Sequence, residues 1–199
     1  MEGGLWLRLY NAGGSEVIAV VRDRYRNLVF STALNGGFKE CSFLLSCNLE
    51  TAFDWYENRL AWRIQIMDEG GEVVWDGRIE EMEIVAWGLR ITARGYFSNC
   101  YDVPYNGTFN ADQHANTIIS TIIPASCLHL AADYSQIQDP GIVMGTAAVP
   151  LVYADNMYPG DIFDKLAEVG DSSNNPWHWY VYDGKVLQFK SRATTVNWE

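Results

Sequence analysis

The chain has 199 residues, 48% of them hydrophobic and 20% charged, with a formal charge of −11 from 14 Lys and Arg against 25 Asp and Glu. That length suits one large domain or two small ones, and eight Trp, eleven Tyr and eight Phe supply too much apolar surface for a disordered chain. The acidic balance argues against wrapping a phosphate backbone or lying on an anionic membrane, because both call for clustered Lys and Arg. Met1-Glu2-Gly3-Gly4 does not read as a secretory leader, and no run approaches the roughly 20 apolar residues that span a bilayer.

The first hundred residues read as strands. Leu5, Leu7 and Leu9 alternate with Trp6, Arg8 and Tyr10, and Asn11 to Ser15 marks a turn. Glu16 to Val21 and Leu28-Val29-Phe30 are β-branched or aromatic runs. Asn35-Gly36-Gly37 is a turn signal before the strand Phe38 to Leu45. Thr51 to Leu60 is ambiguous, with Ala52, Trp55, Tyr56 and Arg59 at helical spacing. Trp62, Ile64 and Ile66 alternate up to Asp68-Glu69-Gly70-Gly71, and Val73-Val74-Trp75 returns, which makes the clearest hairpin. Asp76-Gly77 suggests a bulge or bend before Arg78 to Val85. Trp87-Gly88 then turns into Ile91 to Tyr96.

The pattern changes near residue 102. Residues 102–108, with Pro104, Asn106 and Gly107, read as a linker. Asn110 or Asp112 is placed to cap a helix through about Ile123, and Pro124 should end it. Pro159 to Gly170 is a second helix, with Ile162, Phe163, Leu166, Ala167 and Val169 expected on its buried side. Trp177 to Tyr182 and Lys185 to Lys190 flank an Asp183-Gly184 turn. The expected fold is therefore mainly β with α+β. A β-barrel or sandwich at 1–101 leads through a linker at 102–108 to a small α+β domain at 109–199.

No chemical motif stands out. His114, His129 and His178 are isolated, and Cys41, Cys47, Cys100 and Cys127 contain no C-x-x-C, so the cysteines are expected to be reduced and mostly buried. No nucleophile elbow or phosphate loop occurs. Glu80-Glu81-Met82-Glu83 is dense in acid, but on a strand Glu81 and Glu83 share a face that reads as wet rather than as a paired acid and base. No catalytic, cofactor-binding or metal residue is expected, and the chain is not expected to be an enzyme. The tryptophans carry two readings, a scaffold that buries large rings or a glycan platform that exposes them. The exposure of Trp55, Trp75, Trp177 and Trp179 decides between these.

Three segments carry a resemblance: Asn35 to Phe43, Trp55 to Ile64, and Glu72 to Ile79 with its Val-x-Trp-x-Gly unit. Together with the helix at 159–170 and the closing hairpin through Arg192, they resemble the baseplate hub and tail-tip structural proteins of long-tailed bacteriophages. The resemblance implies a structural component that assembles with copies of itself in a ring, commonly a trimer, and docks to other tail proteins. It implies a place in the virion tail after assembly in the host bacterial cytoplasm, with no sequence-specific nucleic acid and no membrane insertion. A carbohydrate- or receptor-binding tail module is the alternative, and a cell-wall hydrolase a weaker one.

The residues themselves locate the expected contact. The strand Leu5 to Tyr10 is apolar on both faces, so that strand, or Arg78 to Val85, is expected at a subunit interface. Trp6, Tyr10, Arg78 and Trp198 are its candidate residues.

Overall fold

Alternation at the start of the chain produces strand β1 (Trp6–Tyr10), and the β-branched run that follows produces β2 (Val17–Val21). The computed structural model describes residues 4–11, 15–58, 62–109, 114–131, 133–139, 153–169, 175 and 177–191. By its internal contacts the chain divides into two units, Met1–Ala33 with Phe38–Tyr96, and Leu34–Gly37 with Phe97–Glu199. As expected from the sequence, it is mainly β with a smaller α+β part.

In the first unit, β1 and β2 are joined by β3 (Tyr25–Ala33), β4 (Gly36–Ser46), β5 (Arg63–Met67), β6 (Val73–Val85) and β7 (Gly88–Gly95). Their spatial order is β3-β4-β7-β6-β5-β1-β2. The ambiguous segment is helix α1 (Leu49–Asn58), which buries Ala52 and Trp55. Leu7, Leu9, Ile64, Ile66, Trp75, Ile79, Leu89 and Ile91 fill the core. Each such side chain contributes about 1.5–3 kcal/mol when removed from water.

The sheet is not a closed barrel: among the described residues no pairing joins β2 to β3. The expected bend at Asp76-Gly77 is also absent. Both residues lie in the regular ladder, Asp76 opposite Gln65 and Gly77 opposite Ile64. The irregularities fall on either side of them: β6 carries an extra residue, Val74, against β5 and another, Glu80, against β7. Glycine is needed at position 77 for a different reason. A Cβ there would stand 2.2 Å from the Arg94 carbonyl oxygen, so this is a close approach of backbones.

In the second unit, a 3₁₀ turn (Tyr96–Tyr101) leads to β8 (Tyr105–Thr108), α2 (Ala115–Ser126), β9 (Tyr153–Met157), α3 (Pro159–Val169), β10 (Trp177–Val181) and β11 (Leu187–Ser191). Tyr105–Thr108, inside the segment read as a linker, pairs antiparallel with β9. The capping candidates Asn110 and Asp112 lie outside the described residues. His114 occupies the cap position without a side-chain bond to the helix. Pro124 does not end α2 but sits inside its last turn. The Asp-Gly hairpin forms as expected, with β10 and β11 antiparallel and Gly184 at φ 80°. Ile118, Ile119 and Ile122 of α2 and Ile162, Phe163 and Leu166 of α3 are buried, whereas Val169, expected on the same side, is exposed in the last turn of α3. The Trp179 ring meets Phe163 edge-on at 5.5 Å, and its indole N–H donates to Asp164 at 2.8 Å.

Candidate protein interface

Three of the four interface candidates lie on one face of the first unit's sheet. β1 turns Leu7 and Leu9 into the core and leaves Trp6, Arg8 and Tyr10 half-buried on the opposite face. Strand register then aligns a row across five strands: Tyr10 opposite Arg63, Arg63 opposite Arg78, Arg78 opposite Arg94, and Arg94 opposite Glu40. Like charges directly across a ladder repel. Each arginine of the row is offset by a carboxylate. Arg63 grips Asp76 with two hydrogen bonds of 2.9 and 2.6 Å, Arg78 pairs with Glu80, and Arg94 stands 3.7 Å from Glu40.

The aromatic residues are fixed just as firmly. The guanidinium of Arg63 lies 5.1 Å from the Tyr10 ring centre, and the Tyr10 hydroxyl donates to Gln65 at 2.7 Å. Arg8 and Arg22 both approach the Trp6 ring, at 4.8 and 5.2 Å, while its indole N–H donates to the Asp68 carbonyl at 2.8 Å. Tyr25 donates its hydroxyl to the Leu5 carbonyl; burial, reinforced by Asp23, pushes this phenol above its ordinary range. A face of Trp, Tyr and Arg with rotamers already held has the composition of protein interface centres and little entropy left to lose. The fourth candidate, Trp198, lies outside the described residues.

The sequence did not distinguish edge strands from central ones. β1 and β6, the two strands expected at a contact, are interior: β1 lies between β2 and β5, and β6 between β5 and β7. Their backbones are therefore paired on both sides, and only their faces are open to a partner. The edge on this side of the sheet belongs to β2, which among the described residues pairs with β1 and no other strand. There Val17 and Val20 stand opposite Tyr10 and Arg8, on the same face as the arginine row, with 47% and 49% of their surface exposed. A cleft of about 540 Å³ opens beside β2, walled by Val21, Arg22, Arg24, Leu45, Cys47 and Trp55.

The tryptophan test separates cleanly. Trp55, Trp75, Trp177 and Trp179 are all buried. Trp87, at the β6–β7 turn, is 79% exposed and stands apart from them in the chain. The histidines are not grouped: His114 Nδ1 lies 2.8 Å from Asp139, and the His178 ring stacks on Tyr180. Among the described residues, no three His, Cys, Asp or Glu side chains are gathered so as to hold a metal ion, and no helix is long and apolar enough to cross a membrane.

No family model matches the chain, and no curated protein matches it in sequence. Solved structures do share its fold. The 43 kDa tail protein of prophage MuSo2 from Shewanella oneidensis aligns over 99% of this chain and 58% of its own length, with a TM-score of 0.61 and 14% identity. The tail protein from Neisseria meningitidis MC58 aligns over 97% of this chain and 52% of its own, with a TM-score of 0.60 and 10% identity. The structural neighbours of this fold are thus phage tail proteins, and the chain spans a little over half the length of each.

Proposed function

We propose that this chain is a structural component of a bacteriophage tail tip or baseplate, hub-like, which acts by assembling with copies of itself and with neighbouring tail proteins rather than by catalysis. The observation that carries this reading is the fold, shared over almost the whole chain with two phage tail proteins. The buried rings of Trp55, Trp75, Trp177 and Trp179 favour a scaffold over a glycan platform.

In this reading the β2 edge and the adjoining face of Trp6, Arg8 and Tyr10 form the contact, and the arginine row with Arg78 extends it. Apolar Val17 and Val20 supply area and the free backbone of β2 supplies hydrogen bonds. A ring, commonly a trimer, is the expected assembly. The acidic chain would keep the free subunit soluble and discourage DNA from adhering to it.

Solution mass tests the reading. The wild-type chain should exceed monomer mass as concentration rises, and Val20→Lys should return it to a monomer with its melting midpoint unchanged. Trp6→Ser should weaken association too, with some loss of melting temperature. A wild-type chain that stays monomeric at high concentration and binds no companion tail protein would overturn the reading, as would hydrolysis of peptidoglycan by the wild-type chain.

A further inference from the structure

Cys100 and Cys127 are 27 positions apart in sequence, yet their Sγ atoms stand 3.9 Å from each other. Both side chains are buried in the second unit. Cys100 belongs to the 3₁₀ turn Tyr96–Tyr101, and Cys127 caps α2 at its C-terminus. We propose that this pair is a disulfide-forming site, converted to an intramolecular Cys100–Cys127 bond by a small-molecule disulfide such as oxidised glutathione.

The geometry favours a cross-link over two separate thiol reactions. A disulfide needs its sulfurs about 2.05 Å apart, so the pair must close from van der Waals contact to bonding distance. Cys127 is placed to make that move. Its backbone has already left the helix, at φ −113° and ψ 55°, and the next residue, Leu128, is exposed.

Access comes from the same end of the helix. Pro124 has no N–H to offer the preceding turn, so the last turn of α2 lacks one of its hydrogen bonds. Cys127 is buried, and its N–H still donates to the Ile123 carbonyl at 2.9 Å, so fraying this turn to expose the sulfur means breaking that bond. Fraying of such a turn is a local event that needs no global unfolding.

The chemistry is two successive exchanges. The Cys127 thiolate attacks one sulfur of oxidised glutathione, breaking its S–S bond and releasing one glutathione thiolate. Cys100 then attacks the Cys127 sulfur of the mixed disulfide and expels the second glutathione. The two thiol protons end on the two glutathione molecules, so the protein loses two hydrogens and the reagent gains two.

The test uses the full chain, incubated with oxidised glutathione under conditions where circular dichroism shows it folded. The expected result is a loss of two mass units, reversed by dithiothreitol, with one cross-linked peptide that contains Cys100 and Cys127. Closing this loop should also raise the melting midpoint by roughly 5–15 °C. Cys47, half-buried in the first unit, serves as an internal control: any adduct there adds the mass of glutathione on top of the two-unit loss and yields no cross-linked peptide. Single glutathione adducts at Cys127 with no cross-link would overturn the proposal. So would a Cys100–Cys127 bond that forms only once the chain is denatured. Cys127→Ser should abolish the two-unit loss; should that variant fail to fold, Cys100→Ala gives the same reading. None of these outcomes depends on whether the chain assembles.

Discussion

Asp76 is fully enclosed, and its charge is met by Arg63, whose side chain is only 15% exposed. Removing one member of such a pair leaves the other without compensation in a poorly solvated place. Asp76→Ala should therefore cost about 3 kcal/mol of stability, measured by urea unfolding, and replacing Arg63 and Asp76 together by Met and Leu should recover much of it. The pair was half legible in the sequence. The turn at Asp68 to Gly71 implies that Arg63 and Asp76 lie on facing strands, but Asp76-Gly77 carries the composition of a bend and was read as one. Sequence shows that glycine permits a bend; it does not show the Arg94 carbonyl 2.2 Å from a would-be Cβ, which is what requires glycine there.

At the scale of elements, the hydrophobic period identified most strands and both long helices, because those patterns follow directly from which side chains face inward. Helix boundaries were less legible. Pro124 was expected to stop α2, yet the helix continues to Ser126, since proline removes only its own N–H bond and the Cys127 N–H still donates to the Ile123 carbonyl. Pro124 is exposed, so Pro124→Ala should restore a backbone bond without disturbing the core. The second unit should gain about 1–2 kcal/mol in thermal unfolding, and the Cys100–Cys127 cross-link should form more slowly. Edge status was not legible at all. Val-Ile-Ala-Val-Val would serve equally well in a central strand, and only the order of distant strands leaves β2 with one neighbour. The interface candidates fared in the same way. Trp6, Tyr10 and Arg78 were singled out as residue types, while the register that gathers them on one face depends on pairings across the whole unit.

Over the whole molecule, burial acts in one direction on the weak acids. It pushes the Cys41 thiol from 9.0 to about 12 and raises Cys47, Tyr180 and Tyr182 as well. Tyr101 is raised by burial first and then by Asp164 and Asp161. The unfolded chain releases these protons from about pH 9, before the folded chain does, so it binds fewer of them in this range and stability falls as pH rises. The melting midpoint should hold steady up to about pH 8.5 and drop progressively toward pH 12, with a shallower drop in Cys41→Val. A flat profile through that window would show that these groups are open to water.

The interior place of β1 also sets a schedule for folding. The ribosome delivers β1 and then β2 well before β5, the other neighbour of β1, where Trp6 faces Met67. Until that later strand has emerged, Leu7 and Leu9 have no finished core to enter, and one backbone edge of β1 stands open on a nascent chain. Contacts so distant in sequence form slowly. A strand synthesised before its partner is thus secured only after that partner arrives, and through that interval its open edge is a place where another chain could pair.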